Sequence, residues 1–190
     1  AHYVLNGRKL FITNGPVADV LLVYAKTAPE KKQHGISAFI VEKTFPGFGV
    51  AQHLDKMGWR GSPTGELVFE DLRVPAGNLV GVENGGVGVM MSGLDLERVI
   101  GAFYGLGLAQ RAFDLALAQA TARQQFGRII GEFQLVQGML ADMYTEVETI
   151  RALTYQVGRE IAALPPGEGG RGAVHKRSAA AVLHAGRACM

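Results

Sequence analysis

Short apolar runs separated by turn residues make up the first part of the chain. Three of these runs are rich in branched and aromatic residues and are bounded by Gly, Pro or charged residues: "VLLVYAK", "GISAFIVEK" and "GELVFEDLRVP". Such runs are typical of β-strands. In the earlier stretch "YVLNGRKLFITN", Asn6 and Gly7 stand between two apolar runs, which is the signal of a two-residue hairpin turn. The pattern therefore predicts an antiparallel β-sandwich or barrel up to about Pro75.

From about Gly85 the apolar residues recur with the period of a helix. This spacing covers three stretches, at residues 86–125, 129–164 and 171–190. Pro165, Pro166 and the glycines after them predict a loop between the last two helices. Long antiparallel helices with short connections form a bundle. We therefore predict an α+β chain, with a β domain at residues 1–82 followed by a helical-bundle domain at residues 83–190.

Glu97 stands on an otherwise apolar stripe of the first predicted helix. Steps of three and four residues put the following positions on one face: Met90, Leu94, Glu97, Gly101 and Leu108. If this stripe is buried, the carboxylate loses hydration, which disfavours its charged form and makes it a usable proton acceptor. A second interpretation stays open, in which Glu97 or Asp95 forms a surface network with Arg98 on a solvated flank.

Glycines are crowded in the same helix and its entry, at positions 85, 86, 88, 93, 101, 105 and 107. Each glycine inside a helix costs about 1 kcal/mol relative to alanine. Close approach of another helix or of a bound ligand would offset that cost, and the sequence leaves both explanations open.

Two further segments carry groups suited to a nucleotide cofactor. "ARQQFGRIIGEFQ" offers a cation, a flat ring and an amide in Arg123, Phe126 and Gln134. In the alternative interpretation, this segment is a loop that is held in place by the packing of Phe126 and by hydrogen bonds from Arg123 to backbone carbonyls. "KLFITNG" ends a strand with Thr13 and Asn14, whose hydroxyl and backbone donors suit the edge of a heteroaromatic ring. No Gly-x-Gly-x-x-Gly stands between a strand and a helix, which disfavours a Rossmann nucleotide site.

Composition narrows the classes of partner. The 190 residues include 19 basic and 17 acidic side chains, and the basic ones are scattered, so we expect no nucleic-acid partner. No apolar run approaches the length of a membrane helix, so we expect no membrane partner. Cys189 is the single cysteine and the five histidines are dispersed, so we expect neither an internal disulfide nor a metal site. The strand-like start and helical end lead us to expect a piece of a longer protein.

Four segments in order resemble successive blocks of the acyl-CoA dehydrogenase family: "FITNG", "GWRGSPTGELVFEDLRVP", "ERVIGAFYGLGLAQRAFD" and "RQQFGRIIGEFQLVQGMLADM". The resemblance runs over the whole chain and is closest to the isovaleryl type. It implies the latter part of the family's middle β domain and most of its C-terminal helical domain. It also implies bound FAD and a short or branched acyl-CoA substrate, which loses two hydrogens to become a 2,3-enoyl-CoA. A carboxylate takes the α proton, and hydride passes to flavin N5.

The resemblance assigns roles position by position. Glu97 matches the catalytic base of isovaleryl-type members, whereas most others carry the base near their C-terminus, beyond the region of resemblance. Asp95 and Arg98 match positions that contact the CoA part of the substrate. Gly101 stands where the isovaleryl type can have a bulky aliphatic wall, so we expect room for a longer or more branched chain. Cofactor contacts are implied for Phe11, Thr13, Arg123, Phe126 and Gln134.

The last three of those cofactor residues match positions that reach the FAD of a neighbouring subunit, so we expect a dimer or tetramer. An electron-transferring flavoprotein is the expected acceptor. The expected compartment is the cytoplasm of a bacterium or the mitochondrial matrix of a eukaryote. Two alternatives stay open, namely an acyl-CoA oxidase or related flavoenzyme on the same fold, and a non-catalytic scaffold that binds CoA esters or a protein partner.

Overall fold

A computed structural model of the chain describes residues 1–165 and 172–189. The chain divides into two compact units, Ala1–Val89 and Met90–Met190. The first unit consists mainly of β-strands and the second mainly of helices, which confirms the predicted α+β class. Pro166 and the glycines after it, predicted to form a loop, lie outside the described residues. The domain boundary at residue 82 stays a prediction.

The first unit is built from two antiparallel sheets. Its strands are β1 (His2–Thr13), β2 (Val20–Lys26), β3 (Ile36–Glu42), β4 (Phe48–His53), β5 (Thr64–Pro75) and β6 (Leu79–Val80). One sheet has the order β1-β5-β4 and the other the order β2-β3-β6. Leu67 and Leu72 of the first sheet and Phe39 and Val41 of the second share one core. The predicted sandwich is therefore confirmed, because both sheets bury their branched and aromatic side chains against each other.

The predicted hairpin at Asn6 and Gly7 is wrong, because β1 runs unbroken from His2 to Thr13 along β5. Leu5 pairs with Leu72 and Gly7 pairs with Phe69, so β5 carries one extra residue at this point. Asn6 Nδ2 donates to Asp71 Oδ1 over 3.0 Å, and the Asp71 amide donates to Asn6 Oδ1 over 2.8 Å. These bonds stabilise a β-bulge, so the Asn-Gly pair bends the ladder rather than reversing the chain.

Within its described residues, the second unit contains helices and a very short hairpin. Its elements are α1 (Gly86–Ala122, from Met90 onward), β7 (Gln124–Gln125), β8 (Arg128–Ile129), a 3₁₀ turn at Ile130–Glu132, α2 (Gln134–Ala162) and α3 (Ala173–Ala188). The three helices share a core to which α1 contributes Ala102 and Leu106, α2 contributes Ile150, and α3 contributes Ala181 and Ala185. This packing confirms the predicted helical bundle. None of the described helices combines the length and hydropathy that crossing a membrane would require.

Helix packing explains some of the glycines of α1. A Cβ added at Gly105 would lie 2.9 Å from Ala185 Cβ, so only glycine lets α3 approach this closely. By contrast, a Cβ added at Gly93 or Gly107 would meet nothing within 4 Å. Contact with α3 therefore accounts for Gly105, while the other two glycines face open space in the described structure.

Candidate functional site

Glu97 lies on an exposed face of α1. Three large side chains on or next to the predicted stripe are also exposed: Met90, Tyr104 and Leu108. The buried residues of α1 lie on the opposite face, about half a turn away at 100° per residue: Asp95, Val99, Ala102, Leu106 and Ala109. The Glu97 stripe is therefore not buried by the described residues, so these residues do not strip Glu97 of its hydration. The pattern was ambiguous because α1 carries apolar residues around its whole circumference.

The Glu97 carboxylate makes no hydrogen bond or ion pair with another described residue. In particular, Arg98 turns away from it, toward Asp95 and α3. Of the two pairs in the alternative surface network, Glu97–Arg98 does not form, whereas Asp95 and Arg98 do pair at 3.9 Å, with Asp95 buried rather than on a solvated flank. Both oxygens of Glu97 remain available to an external group.

Asp95 is the buried carboxylate of α1, with only 3% of its surface exposed. Its Oδ1 accepts hydrogen bonds from His175 Nδ1 over 2.7 Å and from Ser178 Oγ over 3.2 Å. Arg98 Nη1 lies 3.9 Å from the same oxygen, 3.2 Å from His175 Nδ1 and 3.1 Å from His175 Nε2. A buried carboxylate needs such partners, because burying an unpaired charge is costly. These four residues, which we call the Asp95 cluster, therefore join α1 to α3.

Neither His175 nor Ser178 was a candidate site residue in the sequence. His175 lies 80 residues from Asp95 along the chain, and Ser178 lies 83 residues away. No spacing rule connects residues so far apart, so only the fold could reveal this contact.

The end of β1 presents Phe11 and Thr13. Lys9 pairs with Leu67 and Ile12 with Gly65, so β1 carries an extra residue between these pairs. Phe11 lies in this bulge with a φ of 61°, and 71% of its surface is exposed. A positive φ is unusual for a bulky residue, and bulges commonly redirect side chains beside functional sites.

Thr13 ends β1, and its exposed hydroxyl makes no hydrogen bond to another described residue. The expected donor at Asn14 is not available, because the Asn14 amide donates to the Pro63 carbonyl over 2.7 Å. Asn14 Oδ1 is also used, since it accepts from Ser62 Oγ over 3.0 Å. Of the polar groups expected at this strand end, the Thr13 hydroxyl is thus the one left for a ligand.

The β7–β8 hairpin turns through Phe126 and Gly127, whose φ angles are 53° and 78°. The Phe126 ring is 92% exposed and meets Phe133 edge-on, with the ring centroids 6.3 Å apart. The alternative in which Phe126 packs to hold the loop is therefore not supported. An exposed aromatic ring held in a strained backbone conformation is instead a candidate contact for a ligand.

Arg123 and Gln134 flank this hairpin. The Arg123 amide donates to the Gln119 carbonyl over 2.9 Å, and its carbonyl accepts from the Ile130 amide over 2.9 Å. Its exposed guanidinium caps no carbonyl of the described residues, contrary to the alternative interpretation. Gln134 is exposed at the first position of α2. The connection from α1 to α2 therefore presents a cation, an aromatic ring and an amide to solvent.

Arg128 is a member of this connection that the sequence interpretation overlooked. Its guanidinium carbon lies 4.0 Å from the centroid of the Phe133 ring, which is the geometry of a cation–π contact. The sequence did contain a signal for Arg128, because it stands two residues after Phe126 in a segment with several groups suited to binding a cofactor. Arg128 stabilises the ring against which Phe126 rests.

Gly101 is exposed, and the space beside it is limited by α3. A Cβ added there would lie 3.3 Å from Val182 Cγ2, which is tighter than an ordinary contact. Packing is thus one reason for a glycine at this position.

The candidate cofactor residues fit a flavin dinucleotide. Phe11 and Phe126 hold exposed rings in unusual backbone conformations, and the Thr13 hydroxyl and Arg123 guanidinium are unpaired within the described chain. Ring faces, a hydroxyl and a cation are the groups that stack on, hydrogen-bond to and neutralise such a cofactor. Among the described residues, no three His, Cys, Asp or Glu side chains gather into a group that could hold a metal.

The sequence of this chain is similar to those of proteins whose family is known. The sequence family of the acyl-CoA dehydrogenase middle domain matches residues 1–72, and that of the C-terminal domain matches residues 84–189. A 2-methylacyl-CoA dehydrogenase of Solanum tuberosum is 54% identical over 158 residues, covering 83% of this chain and 38% of that protein. An isovaleryl-CoA dehydrogenase of Oryza sativa is also 54% identical over 158 residues, covering 83% of this chain and 39% of that protein.

A solved structure gives the same result. The butyryl-CoA dehydrogenase of Megasphaera elsdenii superposes with a TM-score of 0.89 and 38% identity, covering 98% of this chain and 47% of that one. The chain thus spans about two fifths of the length of the two plant relatives, 38% and 39%. These matches confirm the resemblance seen in the sequence, and the chain belongs to the acyl-CoA dehydrogenase family.

Proposed function

We propose that this protein is an FAD-dependent acyl-CoA dehydrogenase. It removes one hydrogen from each of carbons 2 and 3 of a short or branched acyl-CoA, similar to isovaleryl-CoA, and forms the 2,3-enoyl-CoA. The observation that carries the proposal is the Glu97 carboxylate, which has no partner among the described residues and lies on an exposed apolar face in a chain of this family.

In this reaction Glu97 accepts the α proton of the acyl thioester. Its unpaired oxygens can approach the substrate without first breaking an ion pair. An acyl chain lying against Met90 and Leu108 would displace water from this face of α1 and lower the local dielectric. Loss of hydration makes a carboxylate a stronger proton acceptor. Bound FAD supplies the acceptor for the hydride that leaves the β carbon.

The cofactor-binding roles follow the exposed groups. With FAD bound, the Thr13 hydroxyl would hydrogen-bond to the cofactor and the Phe11 ring would contact it. Arg123, Phe126 and Gln134 hold the cofactor of a neighbouring subunit, which requires at least a dimer. Arg98 contacts the anionic CoA part of the substrate, while the buried Asp95 is held by His175 and Ser178 and acts through that cluster.

Replacing Glu97 by Gln tests the proposal. We expect the E97Q variant of the complete protein to bind FAD normally but to lose flavin bleaching by acyl-CoA by about 10²- to 10⁴-fold, the usual contribution of a general base. D114N is the matched control, since Asp114 is an exposed carboxylate of the same helix. Normal bleaching by E97Q would reject Glu97 as the base.

The same preparation distinguishes the proposed enzyme from its alternatives. A dehydrogenase reduced anaerobically by substrate should pass its electrons to an electron-transferring flavoprotein and reoxidise slowly in air. Rapid reoxidation with release of peroxide would identify an oxidase instead. A colourless protein that no acyl-CoA can reduce would contradict both enzymes and favour a binding scaffold.

A further inference from the structure

His175 of α3 lies between two charged residues of α1. Its Nδ1 is 2.7 Å from Asp95 Oδ1, and Arg98 Nη1 lies 3.2 Å from Nδ1 and 3.1 Å from Nε2 of the same ring. Asp95 is at the buried end of this chain of contacts, whereas the Arg98 side chain is 28% exposed. The imidazole thus connects a buried carboxylate to a guanidinium that solvent can reach.

The chemistry of the three groups determines where the protons lie. A carboxylate only accepts hydrogen bonds, so the ring nitrogen facing Asp95 carries a proton. A guanidinium only donates, and Nδ1 is committed to Asp95, so Nε2 is the ring nitrogen that offers Arg98 a lone pair. A neutral imidazole protonated on Nδ1 satisfies both contacts at once. Ser178 Oγ lies 3.2 Å from Asp95 Oδ1 and 3.0 Å from the His175 carbonyl, so its one proton is shared between two acceptors of the same cluster.

Arg98 would take another position without the imidazole. It is three residues after Asp95 on the same helix, and its Nη1 is already 3.9 Å from Asp95 Oδ1. With no acceptor at His175, the guanidinium can close this gap and pair directly with the buried carboxylate. It would then turn away from solvent and from any anionic ligand.

We propose that His175 is a positioning residue for CoA binding, which holds the Arg98 guanidinium toward the phosphate-bearing part of the substrate. This inference rests on the proposed function, since it needs Arg98 to contact CoA. Glu97 lies on another face of α1, and its side chain makes no hydrogen bond or ion pair with the Asp95 cluster. His175 therefore affects the affinity for acyl-CoA and leaves the proton-transfer step unchanged.

The test compares three variants of the complete protein. H175L removes both contacts, and we expect KM for acyl-CoA to rise about tenfold with kcat within about twofold of wild type, as loss of a charged hydrogen bond would cause. H175Q keeps an amide donor and a carbonyl acceptor, so its KM should stay near wild type. H184L is the matched control, because His184 lies on the same helix and pairs with Glu146 instead.

A double-mutant cycle shows whether His175 acts through Arg98. R98A alone should raise KM, and adding H175L to R98A should raise it no further, whereas additive effects would overturn the proposal. An unchanged KM in H175L, or a fall in kcat as large as the rise in KM, would also overturn it.

Nitrogen NMR shifts of His175 provide a readout that does not depend on turnover. We expect the proton on Nδ1 and a bare Nε2, and the opposite tautomer would overturn the inference. If the wild-type protein reduces no flavin with acyl-CoA yet shows the expected tautomer, the proposed function has failed and the geometry of His175 stands.

Discussion

At the scale of single residues, α1 carries two carboxylates in opposite environments two positions apart. Asp95 is buried and held by His175 and Ser178, whereas Glu97 is exposed and unpartnered among the described residues. A buried carboxylate with several donors is stabilised as an anion and is a poor base. The exposed one can change its environment when a substrate covers it. This contrast favours Glu97 over Asp95 for proton transfer.

Gly101 can be tested separately for substrate selection and for packing. We expect G101A to lower kcat/KM for branched acyl-CoAs about tenfold relative to short straight ones, because one added methyl in an apolar pocket has roughly that effect. The added Cβ would also press on Val182 Cγ2 at 3.3 Å. The double variant G101A/V182A relieves that contact, and the altered preference should persist in it. If V182A restores the original preference, Gly101 acts only through packing on α3.

Residue roles were predictable from the sequence where a local signal existed. The periodicity identified the stripe that contains Glu97, and the family resemblance gave that residue a role. Because α1 has apolar residues on every face, neither could show which face is buried. His175 had no local signal, because its partners lie on another helix far along the chain. Phe11 was identified as a candidate, while the bulge that exposes it depends on pairing with β5.

At the scale of elements, the strands and helices that were predicted correctly are those whose sequence pattern depends on residues close together in the chain. β2, β3 and β5 follow the three branched and aromatic runs, and the three helices follow the helical spacing. β1 was wrongly divided because its Asn-Gly pair forms a bulge with Asp71, a residue 65 positions away from Asn6. β4 was missed because four of its six residues are exposed and its apolar residues are interrupted by Gly49 and followed by two polar residues.

The packing of α1 on α3 gives a prediction at this scale. A Cβ at Gly105 would lie 2.9 Å from Ala185 Cβ and 3.4 Å from the Ala185 backbone, so G105A should destabilise the complete protein by about 1–3 kcal/mol. G107A is the matched control, since its Cβ meets nothing within 4 Å and alanine favours a helix by up to about 1 kcal/mol. Thermal unfolding should place G105A below wild type and G107A at or above it. Equal shifts in one direction would contradict close packing at Gly105.

At the scale of the whole molecule, the candidate cofactor residues fall into two groups on different units. Phe11 and Thr13 belong to the first unit, and the α1–α2 connection with Arg123 and Phe126 belongs to the second. The proposed function assigns the second group to the cofactor of a neighbouring subunit. In a symmetric dimer, each cofactor would then depend on one group from each subunit.

Mixed oligomers test this assignment directly. A subunit carrying F11A/T13A and a subunit carrying R123A/F126A should each lose FAD as homo-oligomers. Co-expressed with two different tags and purified as a mixed dimer, they should hold about half the FAD of wild type, because one of the two symmetric sites then keeps every contact. FAD content is measured from the flavin absorbance per subunit. If all these residues contact the cofactor of their own subunit, both sites of the mixed dimer stay defective and no FAD is regained, which would contradict cofactor sharing between subunits.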